Sequence, residues 1–406
     1  MPTHATTHIP EWWKETSLGE VVNFVVDNRG KTPPLVGYWY ELLEVNAVSD
    51  TAREPDYSKV AKFVDEETFN HWFRKWTIQT WDVLIPTVGT IGNASYSKEN
   101  RGAIAQNLIA LRTNEKNNSL FLYYFLTNPN TKKFLLNLDI GWVQPSIKVP
   151  HLLNMQVIFP PFPEQVAIAD MLSSFDAKIE LLREQNETLE KTAQTIFHEW
   201  FGRYSVEYPE ELPEGWKLGK VSDFGKIVCG KTPPKDNPEY FWWDIPFIKI
   251  PDMHGEVFIV KTEDSLTQEW WAFQENKFIP KDSVCVSCIA TVWLVTIVSQ
   301  SSQTNQQINS IVPNNLIYRE YLYFTLTNMK DQLLAIWSGG SATLNINTWV
   351  FSNIEIIFPL ENRIQDFHES TSSVFAKILS NLLQIQSLSR TRDELLPRLM
   401  SGEVRV

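Results

Sequence analysis

The chain has 406 residues, too many for one ordinary domain; 43% are hydrophobic and 21% charged, which excludes a disordered polymer and allows two or three packed cores. A formal net charge of −12 excludes a uniformly basic nucleic-acid binder, but phosphates need cations only where they lie, so local basic faces stay open. Three cysteines, Cys229, Cys285 and Cys288, are too few for a disulfide framework and fit a reducing cytoplasm; residues 1–10 lack the apolar core of a secretory signal, and the most apolar stretch, residues 288–298, is too short to span a bilayer.

In chain order, residues 1–158 read as a mixed domain. It has β-rich runs such as Val83-Leu84-Ile85, punctuation by Gly, Asn and Pro, and a short helix over 120–126. A proline-rich boundary, Phe159-Pro160-Pro161-Phe162-Pro163, opens a long helix within residues 159–205. Its seam positions are Ile168, Leu172, Phe175, Ile179, Leu182, Asn186, Leu189, Ala193 and Ile196, spaced alternately by four and three. That is a heptad seam on a helix about 55 Å long, and the polar Asn186 on it is a device for fixing register. Between residues 164 and 203 stand eight acids against four bases, so part of the acidic total belongs to this spacer. Residues 206–358 read as a second mixed domain, with a strand over 295–299 and a helix over 320–334. Its segment 217–249 carries six lysines against four acids. Residues 359–406 form a second long helix with a seam at Ile364, Phe367, Thr371, Val374, Ile378, Ile385, Leu388 and Leu395, interrupted by Asn381.

The two halves repeat one another. Ile9-Pro10-Glu11-Trp12-Trp13-Lys14 returns as Leu212-Pro213-Glu214-Gly215-Trp216-Lys217, and Gly30-Lys31-Thr32-Pro33-Pro34 returns unchanged at 230–234. Phe121-Leu122-Tyr123-Tyr124 returns as Tyr321-Leu322-Tyr323-Phe324, and Ile158-Phe159-Pro160 as Ile357-Phe358-Pro359. Two single-stripe helices of equal length in one chain are natural partners. The expected fold is therefore α+β: two similar mixed α/β domains separated by two long helices that form an antiparallel coiled coil, with a pseudo-twofold internal repeat. The competing arrangement packs each helix on its own domain.

Several strings invite a catalytic reading. Residues 225–232, Gly-Lys-Ile-Val-Cys-Gly-Lys-Thr, fit the phosphate-loop pattern, but Pro233-Pro234 follows where a helix should open, and the first copy lacks the leading glycine. The repeated element is better read as a turn that presents Lys31 and Lys231 to phosphates. Asn237-Pro238-Glu239-Tyr240 approaches an adenine-methyltransferase motif, but Glu239 breaks it and no cofactor loop accompanies it. Cys285 and Cys288 have no second pair for zinc, and the seven histidines show no ligand spacing, so no metal site and no catalytic set is expected.

Taken in order, these elements resemble the specificity subunits of type I restriction-modification enzymes. The resemblance rests on the tandem Pro-Glu-x-Trp-Lys starts, both Gly-Lys-Thr-Pro-Pro elements and Ile245-Pro246-Phe247-Ile248-Lys249. It rests further on Pro163-Glu164-Gln165, Phe197-His198-Glu199-Trp200-Phe201 and the terminal Leu395-Leu396-Pro397-Arg398-Leu399-Met400-Ser401-Gly402. It implies a non-catalytic subunit in which each domain reads one half of a split duplex target. The helices would set the spacing and dock two methyltransferase subunits, and motor-nuclease subunits would join. It also implies no cofactor in this chain, with S-adenosylmethionine, ATP and magnesium in the partners, and no membrane. A tandem coiled-coil scaffold that does not touch DNA is the other function open to such a chain. The sequence departs from the resemblance at tryptophans: Trp12 stands opposite Gly215, Trp293 opposite Gly92, and similar chains have glycine near Trp81, Trp243 and Trp349.

Base edges are read by Arg, Lys, Asn and Gln. The candidates for DNA contact are Arg29, Lys31, Gln106, Asn107, Gln144, Lys148, Lys231, Lys249, Asn305, Gln306 and Asn347, with Gln307 beside them. Gln144 and Thr343 occupy equivalent positions in the two copies, as do Lys148 and Asn347, so the copies would read different half-sites.

Overall fold

The structure, a computed structural model, describes residues 9–28, 30, 32–49, 52–73, 76–138, 145–234, 238–289, 293–329 and 346–406. It divides into two compact units, one of Met1–Ala177 with Ser389–Val406 and one of Lys178–Leu388.

In the first unit, Lys14–Ser17 pairs antiparallel with Gln156–Phe159, which ties the two ends of the mixed region together. The main sheet runs in the order Val22–Asp27, Leu108–Thr113, Val83–Pro86, Ser95–Tyr96. Val83–Pro86 is buried at every residue, which is why it reads as a continuous apolar run rather than an alternating one. The Asn118 side chain caps the Ser119–Thr127 helix by accepting from the Phe121 amide at 2.8 Å. That helix buries Phe121, Leu122 and Leu126 in a core shared with Leu18, Leu111, Leu172 and Leu399.

The second unit repeats the plan with a larger sheet: Gly225–Cys229, Ile308–Pro313, Val284–Ser287, Val295–Val298, Phe258–Ile259. Lys217–Lys220 pairs with Glu355–Phe358, as the equivalent strands do in the first unit. The helix after the sheet is Tyr318–Asn328, and the 330–334 extension expected for it lies outside the described residues.

Two helices of 40 residues each, Phe162–Phe201 and Glu361–Met400, carry the heptad seams. Ile168, Leu172, Ile179, Leu182 and Ala193 are buried on the first; Ile364, Phe367, Thr371 and Ile378 on the second. The division between units falls inside both helices. Within the second unit, Phe367 packs edge-on against Phe197 and Phe201, and Asn381 meets Asn186. As one number rises the other falls, so the segments run antiparallel there. The Asn381 amide donates to Asn186 Oδ1 at 2.8 Å, while Asn186 Nδ2 and Asn381 Oδ1 are buried without a partner among the described residues. The first helix also packs on the mixed region of each unit through its own segment there: Asp176 accepts from the Tyr124 hydroxyl at 2.5 Å, and Glu190 from the Tyr323 hydroxyl at 2.6 Å. Both phenols are pushed well up, by burial first and then by the facing carboxylate.

Candidate nucleic-acid interface

Sheet register determines what lies beside the repeated Gly-Lys-Thr-Pro-Pro element. In the second unit Cys229 pairs with Asn309, so the chain leaving Cys229 runs alongside the turn at 305–307. The Gly230 amide donates to Ile308 O at 3.3 Å and the Lys231 amide to Thr304 O at 3.0 Å. A Cβ at Gly230 would lie 2.1 Å from Thr304 O and 2.2 Å from Asn305 O, so only glycine lets the two segments approach this closely. Thr232 then donates its hydroxyl to Gln306 Oε1, Pro233 is buried, and Lys231 is exposed with no ion pair among the described residues.

The first unit builds the same arrangement from its own strands. Asp27 pairs with Ile109, which brings Thr32 beside the turn at 106–107. Gln106 Nε2 donates to Thr32 Oγ1 at 2.9 Å, and Pro33 is buried. Here Gly30 is required for a different reason, a left-handed φ of +121° with open space around it. Asn28, Thr32, Gln106 and Asn107 border an open hollow of about 510 Å³. Both amide atoms of Asn28 are buried there without a partner among the described residues. These amides and hydroxyls, with the exposed Lys231 ammonium of the second unit, have the chemistry of hydrogen-bond reading and phosphate neutralisation.

The other candidates fall into distinct settings. Lys148 is exposed at the N-cap position of Val149–Leu153, and Asn347 is the N-cap of Thr348–Ser352. The two are thus equivalent in structure, but the Asn347 oxygen is engaged by the Val350 amide at 2.9 Å. Asn305 is largely buried and bonds Gln307 twice, at 3.0 and 3.1 Å, so it shapes the turn. Lys249 is ion-paired to Glu263 at 3.0 Å and Asp264 at 2.9 Å. Arg29, Lys31, Gln144 and Thr343 lie outside the described residues. Sequence reasoning missed Thr32, Thr232 and Asn28. Retention of the threonine inside an unchanged five-residue repeat was the available signal.

The phosphate-loop-like string forms the Gly225–Cys229 strand, and residues 230–234 continue without a helix that could point its amides at a phosphate. Cys285 and Cys288 are buried, and burial pushes their thiols up to about 12 and about 11. Among the described residues no helix is long and apolar enough to cross a membrane.

Comparison with known proteins assigns the family. The family described as "Type I restriction modification DNA specificity domain" matches residues 10–191 and again residues 213–397. The chain is 37% identical over 353 residues to the type I restriction enzyme HindI specificity subunit of Haemophilus influenzae, spanning 70% of this chain and 77% of that one. It is 28% identical over 305 residues to the MjaIX specificity subunit of Methanocaldococcus jannaschii, spanning 71% and 69%. Its fold is similar to the type I restriction-modification S subunit from M. genitalium, with a TM-score of 0.59 at 15% identity, covering 98% of this chain and 97% of that one. The chain belongs to the family of type I restriction-modification specificity subunits.

Proposed function

We propose that the chain is the non-catalytic, sequence-reading subunit of its complex, with residues 1–158 reading one half of a split duplex target and residues 206–358 the other. The helical segments 159–205 and 359–406 pair as an antiparallel coiled coil that fixes the spacing and docks two methyltransferase subunits; motor-nuclease subunits join this core. The DNA-contacting set is drawn from Arg29, Lys31, Gln106, Asn107, Gln144, Lys148, Lys231, Lys249, Asn305, Gln306 and Asn347. S-adenosylmethionine, ATP and magnesium belong to the partner subunits, and the assembly works in the cytoplasm.

One observation carries this reading: the contact between the repeated threonine and a turn glutamine occurs in both units, on side chains 74 residues apart in each. Gln306 is exposed and Gln106 half-buried, so in both copies the amide lies at a surface that duplex can reach. The test is duplex binding and methylation mapping with the full chain and its co-purified methyltransferase. Binding should weaken steeply with salt, and modified sites should show two specified blocks around a fixed gap. Seven residues inserted after Leu189 add about 10 Å, so the gap should change by roughly three base pairs at ~3.4 Å each. A chain that captures the methyltransferase but binds no duplex is a scaffold, and this proposal then fails.

A further inference from the structure

We propose that Thr32 and Thr232 are positioning residues that orient Gln106 and Gln306 in opposite senses, so that one copy offers DNA an acceptor and the other a donor. The proposal rests on the DNA-reading function above. In the first unit the glutamine nitrogen is used: Gln106 Nε2 donates to Thr32 Oγ1 at 2.9 Å, which leaves Oε1 as the acceptor. In the second unit the glutamine oxygen is used: Thr232 donates to Gln306 Oε1, which leaves Nε2 as a donor. A threonine hydroxyl can serve either sense, because it both donates and accepts. The frame around the two contacts is the same. Ala105 N donates to Leu43 O at 2.8 Å where Asn305 N donates to Ile248 O at 3.0 Å, and each turn closes with a bond from residue 108 or 308 back to 105 or 305.

The chemistry of the two amide ends differs at a base edge. In the major groove an outward acceptor suits the amino groups of cytosine N4 or adenine N6. An outward donor suits guanine O6 or N7, adenine N7 or thymine O4. Each threonine engages one end of its amide, so the opposite end is the wholly free one at the base edge. A turn closed by the same backbone hydrogen bonds in both copies thus yields two different readouts.

The experiment uses the full chain with its methyltransferase partner and oligonucleotides altered in one half-site at a time. Thr32→Val should lower discrimination at one base pair of the first half-site roughly tenfold, leave the second half-site and non-specific binding unchanged, and be rescued by Thr32→Ser. Thr232→Val and Thr232→Ser should do the same for the other half. The sense of each contact is tested by Gln→Glu. A carboxylate still accepts from Thr32 and still offers an acceptor, so Gln106→Glu should keep its base preference. Gln306→Glu has no donor left and should lose its preference. Discrimination ratios are read, so the uniform repulsion of phosphates by an added charge cancels. Equal responses of the two glutamates, or Thr→Val variants with unchanged discrimination, overturn the proposal. If the unaltered complex fails to distinguish the half-sites, the DNA-reading function itself has failed.

Backbone conformation carries a second, independent inference. Among the described residues, five that are not glycine have a left-handed φ, and four of these are tryptophan: Trp39, Trp76, Trp81 and Trp293. The fifth is Asp282, a residue type that tolerates this region. The chain has 16 tryptophans in 406 residues, so chance would place at most one in such a set. Trp39, Trp76 and Trp81 are 52%, 67% and 58% exposed, so burial does not compensate for their conformation, whereas Trp293 is buried and its Nε1 donates to Leu326 O. The repeat partner of Trp293, at φ +71°, is Gly92, at φ +90°. We infer that positions 81 and 293 are glycine sites, written with a codon that the cell of origin decodes as glycine. UGA, a stop signal in the standard code, differs by one base from both the tryptophan codon UGG and the glycine codon GGA. Peptide mass spectrometry of the protein purified from its native cells should find glycine at 81 and 293. It should find tryptophan at 200, whose ring lies 3.9 Å under the Arg363 guanidinium, and at 216, which packs on Phe201 and Tyr204. Tryptophan at 81 and 293 overturns the inference.

Discussion

The two mixed regions share a framework and differ in how side chains use it. Both bury the first proline of the repeated element, both set a threonine against a turn glutamine, and both end in a strand paired to the start of the domain. They differ in anchoring. In the first unit Asp176 holds both the Tyr124 hydroxyl and, at 2.6 Å, the Arg392 guanidinium. In the second, Glu190 holds the Tyr323 hydroxyl, and the phenol used is displaced by one residue in the repeat. Backbone hydrogen bonds therefore preserve the scaffold while side-chain contacts drift between the copies.

The sharpest way to separate the two anchors is to delete each carboxylate. Asp176→Ala strands a buried phenol and a partly buried guanidinium, and should cost about 3 kcal/mol. Glu190→Ala removes a half-buried carboxylate that makes this one hydrogen bond to the phenol, and should cost about 1 kcal/mol. Denaturant midpoints of the two variants decide it; equal losses would mean that the second anchor has support beyond this contact.

A smaller effect than that of Asp176 is expected at the helix seam of the second unit. Asn381→Leu leaves the buried Asn186 oxygen unpaired and should cost about 2 kcal/mol. The double variant Asn186→Leu, Asn381→Leu should recover that loss and exceed the parent, because two orphaned amide groups disappear with it. A double variant less stable than either single one would show that the pair contributes more than register.

Glycine and tryptophan at left-handed positions should respond oppositely to change. Trp81→Gly should raise stability by about 1 kcal/mol by releasing backbone strain, whereas Gly92→Ala should lower it by about as much. The alanine Cβ would also press on Lys132 Cγ at 3.1 Å. Thermal melting checks both signs.

The least disruptive probe is alkylation. At about pH 8 the buried thiols of Cys285 and Cys288, raised to about 12 and about 11, should resist iodoacetamide, while the part-exposed Cys229 should react. Cys229 Sγ lies against Gln306 O, so bound cognate duplex should slow that reaction. Mass spectrometry after timed quenching reads it, and reaction at Cys285 first would contradict the burial described above.

Periodicity made the long helices legible from sequence, because a seam such as Ile168, Leu172, Phe175 and Ile179 needs only neighbours three and four residues away. Collinear repeats such as the two Gly-Lys-Thr-Pro-Pro elements were legible for the same reason, as short local strings. The polar breaks at Asn186 and Asn381 were equally visible, as were the lysine and glutamine types suited to nucleic acid. Only tertiary structure decided which of these side chains are available. It engaged Lys249 with two carboxylates, turned Asn305 into its own loop, used the Asn347 oxygen as a helix cap, and left Lys148 and Lys231 exposed. It also joined Thr32 to Gln106 and Thr232 to Gln306 across 74 residues each. The reason is range. Helical periodicity is a local property of the chain, whereas a hydrogen-bond partner is set by strand register, and register depends on every residue packed between the two ends.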